Sequence, residues 1–114
     1  MENLAKKKCV PCKGGIPPLE DQKIKKLLLQ VDSWDLEEES GHKQIVKDFK
    51  FKNFVEAMSF VNKIAGIAEG EGHHPNIDIK YNRVRLTNYT HVIKGLHDND
   101  FILAAKIDKL VSNN

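Results

Sequence analysis

The sequence predicts an α+β fold, a two-layer sandwich in which a four-stranded antiparallel sheet carries its helices on one face. Three observations predict it. Apolar residues recur at helical spacing in three stretches, they alternate with polar ones in two stretches lying between those three, and a turn signal divides each alternating stretch. The order is therefore helix, hairpin, helix, hairpin, helix. At 114 residues and 40% hydrophobic content, the chain supports one core and buries on the order of two-thirds of its unfolded surface.

Residues 1–17 read as a flexible N-terminal arm and residues 18–114 as the domain. The first helix follows Pro17 and Pro18, over about residues 18–31. Ile24, Leu27, Leu28 and Val31 fall at i, i+3, i+4 and i+7, with Glu20 and Asp21 near the start, where the helix dipole favours acids. Trp34 and Leu36 then alternate with polar neighbours, Ser40-Gly41 turns the chain, and Ile45, Phe49 and Phe51 share an alternating face. That is the first hairpin.

Asn53 can cap the second helix with Glu56 as its capping-box partner. Phe54, Ala57, Met58, Val61, Ile64, Ala65 and Ala68 form its apolar stripe. The helix runs out at Glu69-Gly70-Glu71-Gly72, where glycine lets the backbone turn, so His73 and His74 begin a loop. Ile77, Ile79 and Tyr81, the Asn82-Arg83 turn, then Val84 and Leu86 make the second hairpin. Leu103, Ala104, Ile107, Leu110 and Val111 share a face of the last helix, whose start is marked by Asp98, Asn99 and Asp100. With helices on one side only, the other sheet face or an edge strand is open to a second copy of the chain, and a homo-oligomer is expected.

The net charge of +2 is spread over 18 basic and 16 acidic residues, which forces no broad basic face and gives no reason to expect nucleic acid as a partner. Residues 1–20 hold no apolar run of signal-peptide length, and nowhere do ~18 apolar residues follow one another. A cytoplasmic protein without a membrane segment is expected. Both cysteines fall in one CxxC, Cys9-Val10-Pro11-Cys12, in a Gly/Pro-rich leader without a preceding strand. Two reduced thiols in an irregular arm is the plainer reading; zinc shared between subunits, or completed by His42, is the other.

Four of the five histidines, His73, His74, His91 and His97, lie within residues 69–100. Imidazole gives and takes protons near neutral pH and also ligates metals, so the cluster points to proton transfer or to a metal held by His73, His74, His91 and either His97 or Asp100. Adjacent His73 and His74 in an extended loop point to opposite sides, which argues against the metal. Arg83 and Arg85 read as strand residues that solvate the sheet. Trp34, Phe49 and Phe51 are at strand spacing and belong first to the core.

The ensemble His73-His74-Pro75, Tyr81-Asn82, Thr90-His91, Gly95-Leu96, Asp100 and Ala104 to Ile107 resembles the pterin-4a-carbinolamine dehydratases, over roughly Leu19 to Leu110. The resemblance implies the fold deduced above, a homodimer or homotetramer, and neither metal nor organic cofactor. It implies a lyase that eliminates water from 4a-hydroxy-tetrahydropterin to give quinonoid dihydropterin, so recycling a tetrahydrobiopterin-type cofactor. His73, His74 and His91 match the family's active-site histidines, Asp100 the carboxylate at the last helix, and Glu69 an acidic position before the motif. Pro75 belongs to the motif, and Trp34 is carried as a substrate contact. On this pattern His73 and His91 are the acid/base pair and His74 orients the pterin. Asp100 either holds an imidazole or caps its helix. His97 departs from the Ser or Thr usual there and is expected to be a poorer cap, at a cost of about 1 kcal/mol. The alternatives within reach are another pterin, such as molybdopterin, and a dimerising protein-interaction module.

Overall fold

The computed structural model describes residues 3–11 and 14–112, the last of these in its backbone alone. Its elements are α1 (Asp21–Leu28), β1 (Asp35–Glu39), β2 (His42–Lys50), α2 (Phe54–Glu71), β3 (Asn76–Lys80), β4 (Arg83–Asn88) and α3 (Asp98–Ser112), with short 3-10 turns at Leu4–Lys6 and His91–Ile93. The strands form one antiparallel sheet in the order β1-β2-β4-β3. The α+β expectation holds, and the two hairpins join through β2 and β4, with Ile45 opposite Asn88 and Phe49 opposite Val84.

Alternation decides what each sheet face does. Ile45, Phe49, Val84 and Leu86 point into the core with Ile24 and Leu27 of α1, Ala57, Phe60 and Ile64 of α2, and Phe101, Leu103, Ala104 and Ile107 of α3. On the other face Arg85 bridges Glu37 at 2.8 Å and Asp48 at 3.3 Å, so it has the solvating role read from the sequence. Lys47 is a charge on the core-facing register. It is satisfied by Asp108 of α3 at 2.9 Å and by the Asp32 carbonyl at 2.6 Å.

The ends of the helices follow their caps. Asn53 Oδ1 accepts from Glu56 N at 2.9 Å, as expected, while the Glu56 carboxylate reaches one residue further back than a capping box requires, to Lys52 N at 3.3 Å. At the other end α2 stays helical through Gly70 and turns at Gly72, whose φ of 68° is left-handed. There Gly72 N and His73 N both donate to Ala68 O. The last helical turn thus sets the position of His73. α1 is shorter than its apolar spacing suggests, because Gln30 N and Val31 N bond back to Leu27 O and Leu28 O in tighter turns.

The stretch read as an arm lies against the domain over its described part. Leu4 is buried in the core and Lys106 Nζ of α3 donates to Ala5 O at 2.8 Å. Between β4 and α3, Thr90 and Gly95 pair as an isolated antiparallel bridge, and Leu19 N donates to Leu96 O at 2.9 Å.

Gly95 is closed in by Pro18: a Cβ there would lie 2.6 Å from Pro18 Cβ and 3.0 Å from Cγ. A proline ring cannot rotate out of the way. Gly95→Ala is therefore expected to destabilise the fold by about 1–3 kcal/mol, the usual cost of overpacking. Chemical denaturation measures it, and an unchanged midpoint would refute the close packing.

Candidate active site

Three segments and the leader meet at one end of the sheet: the loop after α2, the loop after β4, and the start of α3. They enclose a cleft of about 250 Å³ whose lining includes His73, His74, Tyr89, His91 and Val92, with Val10 from the leader. Three histidines separated by up to 18 positions in sequence are brought into it because α2 ends on Gly72 just before the first pair, while β4 ends just before the third.

Asp100 anchors the arrangement. Its side chain is wholly buried, and its two oxygens accept from three segments of chain. Oδ1 lies 2.6 Å from His73 Nε2, and Oδ2 accepts from Thr90 Oγ1 and from His97 N, each at 2.9 Å. The Asp100 carbonyl accepts from Asn88 Nδ2 at 3.1 Å. A carboxylate only accepts, so Nε2 of His73 carries the hydrogen and Nδ1 is the nitrogen left to exchange a proton. The two roles read for Asp100 are held together: one oxygen orients an imidazole, and the other reaches back to the residue that caps α3.

His97 also behaves differently from the expectation of a lost cap. Its Nδ1 accepts from Asn99 N at 3.0 Å, so the imidazole takes the place of a serine or threonine oxygen. It caps the helix from outside the lining of the cleft.

The other histidines are held more loosely. His74 Nε2 lies 2.8 Å from Glu69 Oε2, but the two side chains are 61% and 82% exposed, so the pair fixes little. His91 Nδ1 lies 2.9 Å from the hydroxyl of Tyr89. The Tyr89 ring in turn stacks on His42, with centroids 4.1 Å apart and planes at 22°. Pro75 is half-buried and leads the chain into β3. Trp34 is not brought to the cleft: it is buried edge-on to Phe49, and its indole N–H donates to Asp108 Oδ1 at 2.9 Å.

Sequence reasoning missed Tyr89 and Val10 and read His42 only as a ligand that could complete a zinc site, not as the ring beneath Tyr89. Tyr89 could have been found two residues before His91. His42 could not, since only the register that sets Ile45 opposite Asn88 carries residue 42 to the level of residues 89–91. Among the described residues no group of three His, Cys, Asp or Glu side chains converges as metal ligands would. His73 is engaged by Asp100, and His74 and His91 each have a different partner. Of the two cysteines, Cys12 lies outside the described residues. Cys9 is a half-buried free thiol whose Sγ donates to Asn99 O at 3.6 Å. Among the described residues no helix is long and apolar enough to cross a membrane.

Residues 17–110 match the model of the family described as pterin 4 alpha carbinolamine dehydratase. A protein of Rickettsia canadensis is 50% identical over 112 residues, covering 97% of this chain and 100% of its own. One of Halorhodospira halophila is 46% identical, covering 95% and 97%. Both are named, provisionally, as pterin-4-alpha-carbinolamine dehydratases. A solved structure described as a transcriptional coactivator/pterin dehydratase, from Brucella melitensis, superposes with a TM-score of 0.74 at 32% identity, over 82% of this chain and 97% of that one. A pterin dehydratase-like RuBisCO assembly factor of the alpha-carboxysome, 24% identical with a TM-score of 0.59 over 69% of this chain and 89% of that one, shares the fold.

The Cys9 thiol is pushed up to about 12, first by burial and then by the neighbouring Glu71 carboxylate. A thiol held above its ordinary value stays protonated, and therefore unreactive, until strongly alkaline pH. In a Cys12→Ser background, alkylation of Cys9 by iodoacetamide at pH 8.5 is expected to run at least ~100-fold slower than after unfolding in denaturant. Equal rates would show that the thiol is not shielded.

Proposed function

The chain belongs to the pterin 4 alpha carbinolamine dehydratase family, and from that premise we propose that it is the hydro-lyase that converts 4a-hydroxy-tetrahydropterin to quinonoid dihydropterin and water, in the cytoplasm. The observation that carries the site assignment is the 2.6 Å contact between His73 and the buried Asp100, in a cleft that also contains His91.

The reaction asks for two proton transfers. A base takes the proton from N5, the electron pair of that N–H bond closes a double bond to C4a, and the C4a–O bond breaks as an acid protonates the departing hydroxyl. Water leaves, and no electrons are exchanged with the protein. In this reading His73 and His91 share the two transfers. Asp100 favours whichever step charges His73, because a buried carboxylate on Nε2 stabilises the imidazolium that forms when Nδ1 takes a proton. Tyr89 fixes the ring of His91 through Nδ1, leaving Nε2 for the substrate. His74, exposed at the cleft margin on its Glu69 contact, orients the pterin.

We further propose that the chain works as a homodimer or homotetramer. At the start of α2, Phe54 and Val55 are 48% and 75% exposed, an apolar pair that a second copy would cover. The edge strands β1 and β3 are also open to pairing. Light scattering at micromolar concentration should give a mass of at least two chains; a single-chain mass would refute the assembly.

Dehydration of chemically generated 4a-hydroxy-tetrahydropterin, followed by ultraviolet absorbance against the uncatalysed rate, tests the activity. The wild type should accelerate it, and His73→Ala and His91→Ala should each lose ~100-fold or more, as expected for a general acid or base. A folded wild type that only matches the uncatalysed rate would sink the assignment.

A further inference from the structure

We propose that the leader is a wall of the active cleft: Val10 contacts the substrate and sets its fit, and Asn99 is the residue that positions Val10. The leader lies outside the matched residues 17–110, yet Val10 is part of the cleft lining beside His73, His74 and His91. This inference rests on the pterin reading of that cleft.

The attachment is specific and redundant. Asn99 is 2% exposed, and its side-chain amide pairs with both backbone groups of Val10: Oδ1 accepts from Val10 N at 3.0 Å, and Nδ2 donates to Val10 O at 2.6 Å. That is the pairing a neighbouring strand would offer, supplied by one side chain. One residue earlier, Cys9 N donates to Glu71 Oε1 at 2.7 Å and Cys9 Sγ to Asn99 O at 3.6 Å. Further back Leu4 is buried in the core. The leader is thus tied to α2 and α3, the same two helices whose ends hold His73 and Asp100.

Held this way, Val10 has its backbone fully used and its isopropyl group left over. The residue is 56% exposed, and with Val92 it supplies the apolar side chains on a rim of imidazoles, a phenol and a carboxamide. Such a surface suits the face or edge of a flat heteroaromatic ring, which gains by leaving water on one side while its polar edge meets the histidines. Contact made equally in the ground state and the transition state acts on KM and leaves kcat alone. Asn99, adjacent in sequence to Asp100, also lines the cleft, but its amide oxygen and nitrogen are both engaged by the Val10 backbone, so its part is to position Val10.

Steady-state dehydration kinetics on the full chain separate the roles. Val10→Ala should raise KM by ~5- to 20-fold with kcat unchanged, since truncated apolar contact is lost alike from substrate and transition state. Val10→Ile should keep KM near that of the wild type. Asn99→Ala should raise KM to a similar extent without moving the pH profile of kcat, and the double variant should be no worse than the poorer single one, because both remove one interaction. Additive losses, or an unchanged KM in Val10→Ala, would overturn the proposal while leaving the dehydratase reading intact. Fluorescence titration with 7,8-dihydrobiopterin supplies the independent arm. If the wild type binds it but does not dehydrate the carbinolamine, and Val10→Ala weakens binding by the same factor, the leader wall stands and the reaction assignment falls. If the wild type neither binds nor reacts, both fall together.

Discussion

The carboxylate of Asp100 accepts from the loop after α2, the loop after β4 and the residue that caps α3, and it does so with no exposure to water. Those three segments make up most of the cleft. Their relative placement therefore depends on a group whose burial is tolerable only while its partners are present, since removing one side of a buried, hydrogen-bonded charge typically costs about 3–5 kcal/mol. Two features share that cost. The start of α3 places the positive end of the helix dipole beside the carboxylate, and the backbone N–H of His97 gives it a donor that only a proline at that position would remove. The interaction that builds the site is also the one that starts the last helix.

This coupling explains the unequal footing of the three histidines. His73 is held by a buried charge and follows directly on the glycine turn that ends α2. His91 is held by a neutral phenol that is itself stacked on His42, and His74 has only a surface acid. A fully buried carboxylate 2.6 Å away constrains an imidazole more than a phenol or an exposed acid does, so His73 is the most firmly oriented of the three. His74, on its exposed contact with Glu69, is the least constrained of the three.

Much of this was legible in the sequence. The 3.6-residue and two-residue periods gave the right elements, and the Asn53 cap and the glycines after Glu69 located the ends of α2 within a residue or two. The histidine cluster and Asp100 were visible as residue types that carry charge where a loop meets a helix. What periodicity cannot carry is register and side-chain partnership. Tyr89 read as one more aromatic residue after a strand, and His42 lay some 30 residues upstream of the other histidines; only the pairing of β2 with β4 joins them. Trp34 had the aromatic character of a ligand contact, but its indole N–H had a nearer acceptor in Asp108. His97 lacks the small hydroxyl associated with caps, and nothing in one sequence says that an imidazole nitrogen will accept from the helix instead.

The leader was the least legible segment. Its composition of lysine, glycine and proline suggests chain that buries too little to be ordered, and local composition is the wrong measure for it. Ordering here is decided at widely spaced points: one buried leucine at Leu4, then hydrogen bonds linking Ala5, Cys9 and Val10 to helix residues 62 to 101 positions away. No single contact offsets the conformational entropy of some seven residues, which is of order 1–2 kcal/mol for each backbone position fixed. Several contacts along a short path can, provided that the helices presenting them are already rigid. Glu71, Asn99 and Lys106 sit on α2 and α3, which the core and Asp100 hold in place. The leader's order is thus downstream of the same carboxylate, and so is the apolar side chain it delivers to the rim of the cleft.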